Sequence, residues 1–202
     1  MIWHLIKVLT AYRPNKLSKK IKAETKIKHD LIEKHPFIKS MIDGSLSDTK
    51  YAIYLNNLLP IYKSVEMLLF NKRFNNLDIF QSKKIFKDIN EYKKTLNIDL
   101  DDTNLQFNEE WLNHFYTKSE FLKKTDLYIR WLADMYGGQI IKRNIKYNTK
   151  YNFKNLRECI IAVRKYIEMD LTENNVNDFI NEVNICYDFH YDIVEKIEKL
   201  DI

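Results

Sequence analysis

Apolar residues recur every three to four positions along most of the chain, which predicts amphipathic α-helices. The strict alternation of apolar and polar residues that is typical of a half-buried strand does not occur in the sequence. Helix signals divide the pattern: Ser18 as a cap, Pro36 and Gly44 as terminators, and Ser47 or Asp48 as a second cap. Predicted helices cover residues 19–34, 36–42, 48 to about 71, 81–95, 107–117, 119–147, 153–171 and 175–199.

These helices predict one all-α domain built as a helical bundle. We divide the chain into an N-terminal packing segment, residues 1–16, and a single domain over residues 17–202. Pro60 falls inside the third predicted helix and predicts a kink there. The polar stretch at 97–104 predicts a loop, and the chain contains neither an internal repeat nor a long linker.

The apolar N-terminal segment is interrupted by His4 and Lys7 and lacks a small-residue cleavage site, so it predicts packing rather than a signal peptide. No apolar run approaches the roughly 18 to 20 residues that a membrane-spanning helix needs. The sequence therefore predicts a soluble, cytoplasmic protein. Cys159 and Cys186 lie in separate helices without metal-type spacing, which predicts buried free thiols in a reducing compartment.

Composition supports the helical interpretation and limits the classes of partner. Only 3 of 202 residues are glycine and only 3 are proline, which favours long helices with short connections. The net charge of +5 is spread along the chain, without an arginine-rich run or a nucleic-acid motif, so nucleic acid is not expected as a partner. A basic face suits the anionic groups of a cofactor or an acidic protein partner.

One face of the first predicted helix carries Lys22, Lys26, His29 and Glu33, which are spaced four, three and four residues apart. The imidazole is a candidate iron ligand, the lysines are candidate partners for carboxylates, and Glu33 is placed to orient the imidazole ring. Haem presents both an iron and two propionates. Taken alone, the pattern fits a solvated helix face at least as well.

The segment "YIRWLADMYGGQIIKR" at 128–143 contains two of the three glycines, Gly137 and Gly138, inside a predicted helix. Each glycine within a helix costs about 0.5–1 kcal/mol relative to alanine. Such a cost requires a local reason, such as close approach of the backbone to another group.

"LYIRWLADMYGGQ" resembles the distal-helix signature of haem oxygenases, Tyr-x-Arg-Tyr-Leu-Gly-Asp-Leu-Ser-Gly-Gly-Gln. "TKIKH", from Thr25 to His29, resembles the proximal segment of the same family, and "LPIYKSVE" at 59–66 resembles a third stretch. The motifs occur in the family's order, and the resemblance covers most of the chain from about residue 17. It implies an all-helical fold in which haem is sandwiched between a proximal helix and a kinked distal helix.

The resemblance also implies roles for individual residues. His29 matches the proximal iron ligand, and Asp134 matches the aspartate that organises distal water. Gly137 matches the glycine that brings the backbone close to haem. Basic positions near the propionates are matched by Lys22, Lys26 and Arg164. Members of the surrounding hydrogen-bond network or of the haem contact surface are matched by Tyr62, Tyr128, Arg130, Ala133 and Gly138.

Spacing adds a physical argument to these matches. Asp134 and Gly137 are three residues apart and share a helix face, and Arg130 stands four residues before Asp134. We therefore expect Arg130 to pair with Asp134 and to keep it ionised. Plain structural roles remain open for five side chains, as a surface pair, a surface charge or core aromatics: Asp134 with Arg130, Arg164, Tyr62 and Tyr128. Two further residues are candidates to line the same pocket: Tyr187 and His190.

The chain departs from the family pattern at Ala133, which replaces the first distal glycine, and at Tyr136, which replaces a serine. The resemblance implies a haem oxygenase that uses haem b as both substrate and cofactor, together with O2 and electrons from a ferredoxin or an NADPH-dependent reductase. The products are biliverdin, CO and ferrous iron, and we expect a monomer without a second metal. The alternatives are a non-catalytic haem-binding or sensing protein of the same fold, and a helical interaction module without haem.

Overall fold

A computed structural model describes residues 14–69, 74, 77–100 and 105–202. Those residues form helices and connecting turns, with no strand among them, which confirms the all-α prediction. Most of the predicted packing segment, residues 1–13, lies outside the described residues. The helices are α1 Lys16–Glu24, α2 Lys26–Lys34, α3 Pro36–Asp43, α4 Asp48–Leu69, α5 Ser82–Leu96, α6 Glu109–Thr117, α7 Glu120–Asp126, α8 Leu132–Tyr136, α9 Gly138–Ile141, α10 Leu156–Glu168 and α11 Val176–Glu198.

The first predicted helix is divided into α1 and α2 at Thr25, whose backbone leaves helical geometry at φ −100° and ψ 1°. The Thr25 hydroxyl donates to the carbonyl of Ile21 at 2.8 Å, so the side chain competes for a helix acceptor. Ser18 is not the cap, contrary to prediction, because it lies within α1. Asn15 caps the helix instead, and its Oδ1 accepts from the Ser18 N–H at 2.8 Å.

The predicted stop and start between α3 and α4 are confirmed. Gly44 adopts φ +84° after α3, and its N–H donates to the Ser40 carbonyl at 3.0 Å. The Ser47 hydroxyl then accepts from the Lys50 N–H at 3.2 Å at the start of α4. Pro60 lies inside α4, which nevertheless continues to Leu69.

The predicted helix at 119–147 is shorter and less regular than expected. Between α7 and α8, residues 127–131 form a π-helical turn, and the helix ends with α9. We call residues 120–141 the interrupted helix. After the helix ends at Ile141, the Nδ2 of Asn148 donates to the carbonyls of Lys142 at 2.8 Å and Ile145 at 3.0 Å. A short 3-10 turn at Thr149–Tyr151 follows.

The long helices α4 and α11 supply much of the buried core. Helix α4 packs along α5, and α11 packs on α2, α3, α4 and α7. The interrupted helix joins this core through Trp131, which stacks on Tyr62 of α4 with ring centroids 4.4 Å apart. Both cysteines are buried and unpaired, as predicted. Every helix in the described part of the chain is too short or too polar to cross a lipid bilayer.

Candidate functional site

His29 lies on the exposed face of α2, and 49% of its side-chain surface is accessible. Its Nδ1 is 3.7 Å from a carboxylate oxygen of Asp30 and 3.7 Å from one of Glu33. Because both carboxylates face Nδ1, the opposite ring nitrogen, Nε2, is the atom presented to a ligand. Lys26 forms an ion pair with Asp30, and Lys22 is exposed one turn before the Thr25 break.

The interrupted helix presents a second exposed face. Ala133 and Gly137, one turn apart, are both exposed, and the side chain of Ile140 is 47% exposed. A Cβ atom placed on Gly137 would meet only the Ala133 carbonyl oxygen of its own helix, at 3.3 Å. This face therefore has a low, open backbone surface, the type of surface that a flat cofactor can approach closely.

Gly138 does not belong to that face, contrary to the predicted contact with a cofactor. It is buried, and a Cβ atom at this position would come within 2.9 Å of Cε1 in the ring of Tyr151. Its lack of a side chain is required by packing against the 3-10 turn. The two adjacent glycines thus have different physical reasons.

The interrupted helix approaches the proximal segment, α1 to α3, at two points. Near its middle, at the π-helical turn, the Tyr128 side chain interacts with that of Thr25. After its end, the Asn144 amide donates to the Ile42 carbonyl. In sequence, His29 lies between Thr25 and Ile42, the two residues of the proximal segment that make these contacts. Ala133 and Gly137 likewise lie between their partners, Tyr128 and Asn144. The two exposed faces consequently belong to neighbouring segments that contact each other both before and after these faces.

A small cavity next to the first of these contacts is lined by Ile21 of α1, by Tyr128 and by Arg164 of α10. The Nε of Arg164 donates to the Tyr136 hydroxyl at 3.1 Å, and its guanidinium lies 5.5 Å from the centre of the Tyr136 ring. The tyrosine that replaces the family's serine is therefore directed at Arg164. Tyr128, a predicted member of the hydrogen-bond network, and Arg164, a predicted contact of the propionates, share this cavity.

Asp134 lies on the inner side of the interrupted helix and is only 6% exposed. The Tyr62 hydroxyl donates to its Oδ2 at 2.6 Å, and Lys150 of the 3-10 turn forms an ion pair with its Oδ1. Burial raises the pKa of Tyr62 well above its usual value, and the neighbouring Asp134 charge adds to the shift. Tyr62 is therefore a neutral hydrogen-bond donor.

The predicted pair between Arg130 and Asp134 is wrong. The Nε of Arg130 instead lies 3.6 Å from Oδ1 of Asp126, one turn earlier. Arg130 belongs to the π-helical turn, whose wider geometry changes the register with the following residues. Asp126 also accepts from Trp111 Nε1 at 3.0 Å and from Lys118 Nζ at 2.8 Å.

Lys150 was missed in the sequence because a single lysine in a lysine-rich loop carries no signal of burial. Its side chain is 1% exposed, and burial lowers its pKa while Asp134 opposes that shift.

The Nε and Nη2 atoms of Arg130 are buried without a hydrogen-bond partner among the described residues. Buried donors of this kind are usually satisfied by ordered water.

His190 and Tyr187, the two candidates on α11, occupy different surroundings. The Tyr187 ring meets the His29 ring edge-on, with centroids 6.1 Å apart. The Nε2 of His190 lies 3.3 Å from the Tyr54 hydroxyl, and the charge of Arg130 acts on both of these side chains. Tyr187 thus adjoins the proximal imidazole, and His190 adjoins the inner polar groups.

These residues fit haem by their chemistry. An exposed imidazole has carboxylates at its far nitrogen, a low backbone surface lies on the neighbouring segment, and cationic side chains are present on α1, α2 and α10. Behind the low surface, a buried carboxylate and orphaned guanidinium donors form a polar interior suited to water. A neutral, apolar ligand would leave the imidazole, the cationic side chains and the buried polar groups without a role.

Comparison with solved structures places the fold among the helical haem oxygenases. Heme oxygenase-2 from Synechocystis sp. PCC 6803, in complex with heme and NO, superposes with a TM-score of 0.75 at 19% identity, covering 91% of this chain and 86% of that one. Heme oxygenase from Leptospira interrogans superposes with a TM-score of 0.73 at 18% identity, covering 92% and 100%.

Sequence comparison then identifies the family itself. The heme oxygenase family model matches residues 15–196, so the chain belongs to the haem oxygenase family. Among similar proteins are the heme oxygenases of Guillardia theta, 21% identical, and Porphyra purpurea, 22% identical. Each alignment covers 91% of this chain and 87% of the relative. Membership makes the chain an oxidoreductase that acts on haem.

Proposed function

We propose that the chain binds haem b between the exposed face of α2 and the exposed face of the interrupted helix. It oxidises the haem to biliverdin, CO and ferrous iron. The observation that carries this proposal is the pair of exposed faces, one with His29 and the other with Ala133 and Gly137. They lie on segments that contact each other before and after these residues. Haem supplies the iron centre for O2 activation, and electrons come from an external donor such as a ferredoxin or an NADPH-dependent reductase.

The protein's own residues bind and orient the haem. His29 offers Nε2 to the iron, while Asp30 and Glu33 hold the ring by its other nitrogen. Lys22 and Lys26 attract the propionates, and Arg164 serves the same end of the cleft. The edge-on Tyr187 ring limits rotation of the imidazole.

The inner polar groups handle protons. Asp134 accepts hydrogen bonds from Tyr62 and Lys150, and a carboxylate held in this way can organise water without itself being a strong acid. The guanidinium of Arg130 supplies buried donors to the same water. Ala133 adds one methyl group to the open face and narrows it relative to the family's glycine.

A hemin assay tests the proposal. Purified protein mixed with hemin, O2 and ascorbate should lose its Soret absorbance and yield a bilin. A saturable hemin spectrum without bilin formation would instead favour the non-catalytic haem-binding alternative, and the absence of a saturable spectrum would favour an interaction module.

His29→Ala tests the iron ligand. The variant should weaken hemin binding and shift the Soret band, because the imidazole that would bind the iron is removed. Ile27→Ala is the matched control, since Ile27 is 77% exposed and lies about 200° around the helix from His29. A His29→Ala spectrum identical to that of the parent would remove His29 from the site.

A further inference from the structure

Lys150 is a buried cation whose ammonium group faces the carboxylate of Asp134. It reaches this position from the 3-10 turn after the interrupted helix, and its Nζ also lies 5.0 Å from the centre of the Tyr62 ring and 4.5 Å from that of the Tyr151 ring. Aromatic faces stabilise a cation at such distances. The ammonium is therefore enclosed by one carboxylate and two rings.

The backbone of the same turn is fixed independently. Asp88 of α5 is 1% exposed, and its two carboxylate oxygens accept from the N–H groups of Thr149 at 3.1 Å and Lys150 at 2.9 Å. Both the backbone and the side chain of Lys150 are thus constrained. A lysine held in this way places its charge with little freedom.

A second buried lysine, Lys124, has a structural role and serves as a comparison for Lys150. Lys124 is also 1% exposed, donates to the Tyr166 carbonyl at 3.0 Å and pairs with Asp170. The side chain of Asp170 is 47% exposed, so water solvates that carboxylate. The Asp134 side chain is 9% exposed and depends on Lys150 and Tyr62 instead.

We propose that Lys150 is a positioning residue for Asp134, whose orientation and negative charge it fixes at the inner side of the interrupted helix. The inference rests on the proposed function, because haem oxidation is what makes the Asp134 carboxylate important. A buried ion pair contributes little net stability, since desolvation of both charges opposes their attraction. We therefore expect the pair of Lys150 and Asp134 to act on the charge and orientation of the carboxylate rather than on the stability of the fold.

Infrared spectroscopy of the haem-free protein at pH 7 tests the effect on charge. In Lys150→Met, the unpaired buried carboxyl group should take up a proton and show a carboxylic C=O stretch. The band should be absent from the parent, from Lys124→Met, and from the double variant Lys150→Met/Asp134→Asn. Lys150→Arg keeps the positive charge and should also lack the band.

Turnover of hemin tests the effect on function. Lys150→Met should lower the rate of bilin formation by roughly tenfold or more while the hemin dissociation constant stays within about threefold. Lys124→Met, which loses an equally buried lysine, should keep the parent rate. Lys150→Arg should recover part of the loss.

The proposal is overturned if Lys150→Met lacks the C=O band and turns over like the parent. Should Lys150→Met fail to fold, the same two measurements on Lys150→Gln decide instead: a C=O band with slowed turnover supports the proposal, and the parent's spectrum with the parent's rate overturns it. If the parent itself forms no bilin, the proposed function fails, whereas the haem-free spectra still report whether Lys150 controls Asp134.

Discussion

Gly137 and Gly138 are neighbours in the sequence but meet different surroundings. The first lies on an exposed face where an added Cβ has space, and the second lies under the ring of Tyr151. The sequence motif located the pair and indicated close backbone approach. It did not reveal that only one glycine faces the cleft, because the ring that requires the other comes from a separate turn.

Substituting each glycine by alanine separates the two roles. Gly138→Ala should lower the free energy of unfolding by about 1–3 kcal/mol, since the new methyl group overlaps the Tyr151 ring. Gly137→Ala should raise that free energy by up to about 1 kcal/mol through helix propensity, while weakening hemin binding. Urea unfolding of the haem-free variants and hemin titration provide the measurements. Equal stability changes in the two variants would contradict the assignment.

Asp134 illustrates the limit of prediction at this scale. The motif predicts a role for Asp134, and Tyr62, which donates to it in the structure, was among the residues the same resemblance implied. The cation was assigned to Arg130 because helix spacing is visible in a sequence. The actual cation, Lys150, comes from a turn whose position depends on Asp88 of α5, and no local pattern reports that contact.

Helix ends that carry a local signal in the sequence were predictable, whereas the π-helical turn and the early end of the interrupted helix were not. Pro36, Gly44 and Ser47 act within a few residues of themselves, so their effects could be predicted from the sequence. The π-helical turn at 127–131 and the early end of the interrupted helix could not. After the interrupted helix ends, the Asn148 side chain donates to the backbone carbonyls of Lys142 and Ile145, a contact that no helix signal in the sequence predicts.

Glu66 makes a contact with the start of α5 that lies far away in the sequence. Its carboxylate on α4 accepts from the N–H groups of Gln81 and Ser82, the latter at 2.8 Å, and from the Ser82 hydroxyl. A side chain from one helix thus caps the next. The resemblance of residues 59–66 to the family indicated that this stretch matters, without indicating this contact.

Glu66→Ala should lower the free energy of unfolding by about 1–3 kcal/mol, because it leaves buried N–H groups at the start of α5 without acceptors. Glu91→Ala, at an exposed ion pair with Lys94 on the same helix, should change it by less than about 0.5 kcal/mol. Chemical denaturation of both variants measures the difference. A Glu66→Ala protein as stable as the control would show that the cap is dispensable.

At the scale of the whole molecule, the helical bundle followed from hydrophobic periodicity and from the scarcity of glycine and proline. Which faces remain exposed did not follow, since an amphipathic helix that lines a cleft looks in sequence like one that lines the surface. The folded protein also buries Arg130 and Lys150 in its interior, where their charges act on His190.

That interior makes stability depend on pH. Burial, followed by the charges of Arg130, Lys150 and His35, lowers the pKa of His190 well below its usual value. The unfolded chain therefore binds this proton more readily, so the contribution is present above about pH 6.5 and is lost as the pH falls. Its slope should reach up to about 1.4 kcal/mol per pH unit.

Urea unfolding of the haem-free protein between pH 7.5 and 5.5 measures this contribution. The parent should lose stability more steeply than His190→Gln over that interval, and His114→Gln should retain the steep dependence. Parallel curves for the parent and His190→Gln would show that His190 is not the group responsible.

The π-helical turn has a consequence for chain length. Asp126 and Asp134 are both buried although they are eight positions apart, a spacing that would rotate them about 80° out of phase in a regular α-helix. The π-helical turn at 127–131 has more residues per turn than an α-helix and so compensates for this rotation of about 80°. With one residue fewer at 127–131 the helix would be regular, and seven positions would still complete nearly two turns. Residues 127–131 are thus a place where a deletion leaves both carboxylates facing inward, whereas a deletion at 132–133 would rotate Asp134 relative to Tyr62.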